Sequence, residues 1–148
     1  MIIREESHVA IDNVIVLALK NADHFEKQAE RLNPELAGLF RALAQRRRTE
    51  AEHLGEFLRR NGDLPGEPDR DRESMEEIIS RLRTLMASDE EVELLTEREN
   101  AEQELADAVH FALSQEIGGE TRDILQAFGG HIEKTRTKLQ YLIESKGE

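Results

Sequence analysis

Apolar residues recur at steps of three and four along most of this chain, a spacing that keeps them on one face of an α-helix. Asn, Pro and Gly residues interrupt the pattern and divide it into four long segments. We predict helices over about residues 7–32, 34–60, 89–116 and 120–144. Ser7 is the expected cap of the first helix, since a short side-chain oxygen can accept an unpaired backbone N–H of the first turn.

The breaks between the segments predict how the helices connect. Asn33 can cap the second helix and Pro34 suits its first turn, so helices one and two should form an antiparallel hairpin. Gly118 and Gly119 join helices three and four in the same way, and Ser88 with Asp89 should cap helix three. Residues 62–88 hold the remaining prolines and are predicted to be a crossover with a short helix over about 73–86.

Taken together, these segments predict an all-α fold in a single domain over residues 1–148. Two long antiparallel hairpins joined by a crossover make a four-helix bundle. The direction of helix three stays open on spacing alone, because the crossover can run along the bundle or turn back.

Two of the apolar stripes become polar halfway along the helix. The stripe of helix three runs through Val92, Leu95, Glu99, Glu102, Ala106, Val109 and Leu113. That of helix two runs through Leu36, Phe40, Leu43, Arg47, Glu50, Leu54 and Phe57. Buried charge costs several kcal/mol unless it is paired or bound to a metal. The middle of the bundle should therefore hold either an ion-pair network or a metal site.

A metal site would use Glu50 and His53, which are three residues apart and so share a face of helix two. Glu99 or Glu102 could add a carboxylate from helix three, and such ligands suit iron or manganese. The matching half is missing, since Phe128 stands three residues before His131 on helix four. We therefore do not expect a complete two-metal centre, while an incomplete site stays open.

The ion-pair hypothesis uses the same acids. Arg47 and Glu50 share one seam of helix two and could meet Glu99 and Glu102 of helix three. A guanidinium can bind two carboxylate oxygens at once, and such a network can fix the register of packed helices. We favour this network over the metal site for Arg47 and Glu102.

Composition narrows the function classes. The 148 residues contain no cysteine, which excludes a disulfide framework and a cysteine nucleophile. A net charge of −12 argues against nonspecific binding to nucleic acid. No apolar run approaches the roughly 18 residues of a membrane span, and the N-terminal residues do not resemble a signal peptide, so we expect a cytoplasmic protein.

Helix one carries more apolar residues than one core-facing stripe can bury. Val14, Val16, Leu17 and Leu19 cover most of its circumference. Exposed apolar patches of this kind usually mark an interface, so we expect a homodimer. Cover by the crossover helix is the alternative.

Several segments resemble a bacterial family of ferritin-like four-helix-bundle proteins that is known only as a domain of unknown function. They are residues 33–47, Gly62 with Pro65, residues 94–113 and residues 120–142. The resemblance implies a ferritin-like bundle in which helix three runs parallel to helix two, and it implies no activity. We expect a non-catalytic structural or stress-associated binding protein; the alternative is a ferritin-like iron- or manganese-binding protein or di-metal oxidase.

Overall fold

The computed structural model describes the backbone of residues 2–59 and 88–145, and the side chains of residues 7–56 and 88–145. These ranges form four helices, α1 (Ile2–Ala29), α2 (Pro34–Arg59), α3 (Asp89–Leu113) and α4 (Gly119–Ser145). They contain no strand, so the predicted all-α class is confirmed for the described part of the chain. The crossover, with its predicted helix over 73–86, lies outside the described residues. None of the described helices is long and apolar enough to cross a membrane.

The start of α1 corrects one expectation. The helix begins at Ile2, and Ser7 lies inside it with only 5% of its surface exposed, so Ser7 is not a cap. No glycine or proline occurs between residues 2 and 29, and nothing in the sequence therefore stops the helix before Ser7.

The α2 and α3 helices begin at side-chain caps that contact each other. Asn33 Oδ1 accepts the backbone N–H groups of Glu35 and Leu36, at 3.1 and 3.0 Å. Ser88 and Glu91 form a reciprocal capping box at the start of α3. The second carboxylate oxygen of Glu91 accepts the backbone N–H of Asn33 at 2.6 Å, which ties the start of α3 to the α1–α2 turn.

Contacts between α1 and α3 set the direction of α3. Gln28 donates to Glu97 at 2.9 Å, and Asn21 donates to Glu102 at 2.9 Å, so later residues of α3 meet earlier residues of α1. The two helices are therefore antiparallel, and α3 runs parallel to α2. This is the direction that the resemblance favours.

The four helices pack as the corners of a square. The α1 helix contacts α2 and α3, and α4 contacts α3 and α2, which leaves α2 and α3 on opposite corners. Of the four adjacent pairs, α2 and α4 approach each other least closely.

Two apolar clusters fill the interior, one toward each end of the bundle. The first contains Ala22, Phe25, Ala29, Leu36, Ala37, Leu39, Phe40, Leu43, Ala44, Leu95, Leu139 and Leu142. The second contains Ala10, Ile11, Val14, Ala18, Ala51, Leu54, Leu105, Ala106, Val109, Ala112, Leu125, Phe128 and Ile132. Polar side chains from all four helices lie between them, and we call this the central polar layer: Asn21, Arg46, Arg47, Glu50, Glu102, His131 and Thr135.

The buried face of α3 also corrects the predicted stripe. Arg98 is 6% exposed, whereas Glu99 is only half-buried. The seam steps through residues 91, 95, 98, 102, 105, 109 and 112, alternating four and three. The predicted stripe goes four residues on from Leu95, to Glu99, whereas the buried seam goes three residues on, to Arg98.

Candidate functional site

The centre of the polar layer is an ion pair between Arg47 and Glu102. Both side chains are 0% exposed. The guanidinium NH2 group donates to Glu102 Oε1, and its NH1 group donates to Glu50 Oε1 at 2.9 Å. Because α2 and α3 occupy opposite corners, the Arg47–Glu102 pair spans the core diagonally. It therefore links two helices that are not neighbours.

Polar side chains of α1 and α4 complete the centre of the layer. Asn21 Nδ2 donates to Glu102 Oε2 at 2.9 Å, so each oxygen of this carboxylate has a hydrogen bond. Thr135 Oγ1 accepts from Arg47 NH2 at 3.4 Å and donates to the carbonyl oxygen of His131 at 3.0 Å. Every helix of the bundle thus contributes to one network. Buried polar groups need hydrogen-bond partners, and this network supplies them.

The edge of the layer lies between α2 and α4, where Glu50 and His131 are 14% and 21% exposed. His131 Nδ1 lies 2.5 Å from Glu50 Oε2, and Arg46 NH2 lies 2.7 Å from His131 Nε2 and 2.9 Å from its Nδ1. Arg46 Nε also donates to Glu50 Oε2, at 3.3 Å. Both ring nitrogens of His131 therefore contact a charged side chain of α2.

The electrostatics of the layer keep its pairs ionised. Burial alone would lower the pKa of Arg47, but the charges of Glu102 and Glu50 outweigh it and raise that pKa above its ordinary value. Burial would raise the pKa of Glu50, and the charge of Arg47, the hydrogen bond from His131 and the charge of Arg46 lower it instead. The pairing therefore stabilises the ionised state of both groups.

The predicted site residues divide into two groups. The structure brings Arg47, Glu50 and Glu102 together in one network. It does not bring Glu99 to Arg47, because Glu99 Oε2 accepts from Arg136 Nε of α4 at 2.9 Å, at the edge of the α3–α4 interface. His53 is half-buried on α2, and no hydrogen bond among the described residues connects it to the layer.

A metal would find few ligands that are not already hydrogen-bonded. Within residues 7–56 and 88–145, no three His, Cys, Asp or Glu side chains are grouped as a metal site. Glu50 and Glu102 each accept a hydrogen bond from Arg47, and the His131 ring contacts Arg46 NH2 through both nitrogens. The cation between the two carboxylates is a guanidinium, and the layer carries one more arginine beside them.

Sequence reasoning missed Asn21, Arg46 and Arg98, and it considered His131 only as a metal ligand. A signal for Asn21 was present, since positions 11, 14, 18, 21 and 25 alternate steps of three and four, and the others are all apolar and buried. The same alternation marks Arg98 on α3. Arg46 and His131 lie beside their seams, where periodicity does not separate a buried position from a solvated one.

The comparison with protein families gives one match. A family described as Domain of unknown function (DUF2383) matches residues 13–115. The chain belongs to this family. Membership of a domain of unknown function is thereby confirmed, while kinship with ferritin-like proteins stays a prediction. The DUF2383 match covers Asn21, Arg47, Glu50 and Glu102, and it ends before α4.

Two further comparisons gave no match. No curated protein matches the chain, and no solved structure does.

Proposed function

We propose that this protein is a non-catalytic, ferritin-like four-helix bundle in which a buried ion-pair layer takes the place of a metal centre. The observation that carries the proposal is the position of Arg47, whose guanidinium lies between Glu50 and Glu102 with none of its side chain exposed. A divalent metal held by two carboxylates would occupy the same kind of position. The layer then fixes how the helices pack and leaves binding to the outer surface.

The charge balance of the interior supports this proposal. Within the central polar layer, Arg46 and Arg47 lie beside two carboxylates, those of Glu50 and Glu102. A divalent metal would add two positive charges to a layer in which each carboxylate already has an arginine partner, which is unfavourable at low dielectric.

The rival function is a ferritin-like iron- or manganese-binding protein or di-metal oxidase. The observation in its favour is the short contact between Glu50 Oε2 and His131 Nδ1, 2.5 Å, beside a second carboxylate, Glu102. Glu50, Glu102 and His131 could hold a metal only if Arg47 and Arg46 moved away. Such a metal would supply redox chemistry that the side chains lack.

Metal analysis separates the two functions. Protein purified without chelator is analysed for iron and manganese, and then mixed aerobically with Fe(II). We expect no bound metal in stoichiometric amount and no oxidation of Fe(II) above that of buffer. About two metal ions per chain together with oxygen-dependent oxidation of Fe(II) would establish the rival function.

Self-association forms the second part of the proposal. Val9, Val16 and Leu19 of α1 are 67%, 60% and 41% exposed, whereas Val14 is fully buried. Val9 and Val16 are seven residues apart and so lie on the same face of the helix. We propose that two copies pair through this face.

Light scattering tests the dimer at micromolar concentration. We expect a mass twice that of the 16.9 kDa chain, and the mass of one chain for the variant with Val9→Ser and Val16→Ser. An exposed apolar residue on another helix, Phe111, provides the control, since Phe111→Ser should remain dimeric. A single 16.9 kDa species for the unmodified protein would refute the pairing.

A further inference from the structure

Two consecutive glycines occupy the middle of α4. Gly129 and Gly130 are helical residues well inside the helix, which runs from Gly119 to Ser145. Apart from proline, glycine is the least favourable residue in a helix interior, because its backbone loses more conformational freedom than that of any other residue. The backbone of α4 is therefore weakest at this pair of residues.

The packing around the two glycines does not require them. Outside the helix's own backbone, a Cβ atom at Gly130 would meet no heavy atom within 4 Å. A Cβ atom at Gly129 would lie 3.5 Å from Val109 Cγ1, which is an ordinary van der Waals contact. Neither glycine has a positive φ angle, so alanine could adopt the same backbone conformation. What the glycines change is the helix itself, which opens more easily at this point.

A threonine weakens the same stretch of α4. Thr135 Oγ1 donates to the carbonyl oxygen of His131 at 3.0 Å. In a regular α-helix this oxygen accepts the backbone N–H of Thr135, so the hydroxyl competes for it. Side-chain hydrogen bonds of this kind slightly destabilise helices and often bend them. The stretch from Gly129 to Thr135 thus combines two independent causes of a weak helix.

This weak stretch lies at the edge of the central polar layer. His131, the residue after Gly130, contacts Arg46 and Glu50 of α2. These contacts are partly exposed to solvent, and they join the two adjacent helices that approach each other least closely. The hydrogen bonds of His131 to α2 are therefore the ones that a movement of this stretch would break first.

We propose that Gly129 and Gly130 form a hinge in α4, and that opening of this hinge detaches His131 from Glu50. Opening exposes the polar layer to solvent at its α2–α4 edge and leaves the ion pair at the centre of the layer in place. The layer is then rigid at its centre and can open at one edge. This inference does not rest on the proposed function, because the hinge can exist whether or not the layer replaces a metal centre.

Native-state hydrogen exchange followed by NMR tests the hinge, because it measures how readily each backbone N–H opens. In the helix, the N–H groups of Glu133 and Lys134 bond to the carbonyl oxygens of Gly129 and Gly130. We expect these two N–H groups to exchange through a local opening of α4. The competing explanation is that they exchange only when the whole protein unfolds, as the slowest N–H groups of a protein do.

Two alanine variants separate a local hinge from general stabilisation. Gly130→Ala should slow the exchange of the Glu133 and Lys134 N–H groups by about fivefold, as the helix propensities of alanine and glycine predict. Gly38→Ala is the matched control, since Gly38 also lies inside a helix and a Cβ atom there would meet no heavy atom within 4 Å. It should slow only the N–H groups that report global unfolding. Equal slowing of Glu133 and Lys134 by both variants, or no slowing by Gly130→Ala, would overturn the hinge.

Weakening the contact between His131 and α2 tests the detachment. Because opening breaks this contact, Glu50→Gln should ease it and speed the exchange of the same two N–H groups by about tenfold, as expected for loss of a charge-assisted hydrogen bond. Glu52→Gln alters an exposed acid of the same helix and should leave their exchange unchanged. Should Glu50→Gln fail to fold, His131→Gln weakens the same contact from α4 and should have the same effect. Unchanged exchange of the two N–H groups in the folded variant would show that the hinge opens without detaching His131, against the proposal.

Discussion

Arg47 and Glu102 are the residues on which this interior depends most. Both are fully buried, and removing one partner would leave the other charged and unpaired at low dielectric. Removing one member of a buried ion pair typically destabilises a protein by about 3–5 kcal/mol, whereas replacing both by apolar residues can be neutral. The two kinds of substitution therefore have different expected results.

Glu102→Gln tests the cost of breaking the pair. The amide keeps the shape of the side chain but loses the charge that balances Arg47, so the free energy of unfolding should fall by about 3–5 kcal/mol in urea denaturation. Glu104→Gln, an exposed neighbour on the same helix, should change it by less than about 0.5 kcal/mol. Equal effects of the two substitutions would show that Glu102 is not a buried charge.

The lowered pKa of Glu50 predicts how the free energy of unfolding depends on pH. Its folded pKa is lowered, so its contribution to stability is complete above the ordinary value of 4.5 and is lost as the pH falls through its folded pKa. Below pH 4.5 the unfolded chain binds the proton first, and the free energy of unfolding should therefore decrease. Urea denaturation between pH 7 and pH 3 measures this decrease.

Matched variants assign the pH effect to Glu50. Its removal in Glu50→Gln should make the acid-side decrease shallower, whereas Glu52→Gln, which alters an exposed acid, should leave it unchanged. Part of the acid-side decrease in stability should remain in both variants because of Glu91. Burial would raise the pKa of Glu91, but hydrogen bonds from Ser88 and Asn33 lower it. An identical slope in the two variants would contradict the ionised, paired state of Glu50.

At the residue level, the sequence indicated Arg47, Glu50 and Glu102 because charges inside an otherwise apolar stripe are conspicuous. Asn21 and Arg98 were overlooked, since the seams of α1 and α3 alternate steps of three and four and several readings of the stripe fit equally well. Glu99 illustrates the error, for a shift of one residue moves a side chain by about 100° around the helix. Contacts between helices, which decide the register, are not visible in one sequence.

At the element level, α3 has the best-defined start. Ser88 Oγ accepts the backbone N–H of Glu91 at 3.2 Å, and Glu91 in turn accepts the backbone N–H of Ser88 at 2.9 Å. The same Glu91 carboxylate reaches Asn33, so the cap also anchors α3 to the α1–α2 turn. These caps were predictable because Asn33, Ser88 and the breakers near them are local signals, unlike the helix register.

Ser88→Ala should cost about 1 kcal/mol of unfolding free energy, because one backbone N–H of the first turn of α3 loses its acceptor. Thr96→Ala serves as the matched control. Thr96 is exposed inside α3, beyond its first turn, and donates to the Val92 carbonyl oxygen, which already belongs to the helix, so its loss should cost much less. Urea denaturation compares the two variants, and a greater loss for Thr96→Ala would argue against the capping box.

At the level of the whole molecule, the polar layer separates two apolar clusters and connects all four helices. Such a layer can fix the register of packed helices, because sliding one helix by a turn would leave buried charges unpaired. The prediction of an all-α fold with four long helices is confirmed for the described residues, because helix number and hairpin connections follow from periodicity and breakers. Residues 60–87 lie outside the described part, so the predicted crossover helix remains a prediction.

Replacing Arg47 with Met and Glu102 with Leu together should recover most of the stability that Glu102→Gln loses. Glu50 would keep its contacts with Arg46 and His131, and Asn21 Nδ2 would keep its contact with the Ala101 carbonyl oxygen at 3.3 Å. A double-mutant cycle in urea measures the coupling between the two positions. Additive losses from the two single substitutions would show that the charges do not interact.

The thermal stability of the protein in the presence of metal tests most directly whether an ion-pair layer replaces a metal centre. Unmodified protein and Glu102→Gln are melted with chelator, with Mn(II) and with anaerobic Fe(II). A ligand that binds the native state raises the melting temperature, so a metal centre would be apparent. We predict that neither metal changes the melting temperature of the unmodified protein, and that Glu102→Gln melts lower by the same amount in all three conditions. An increase of many degrees with Mn(II) or Fe(II), abolished by Glu102→Gln, would contradict the account.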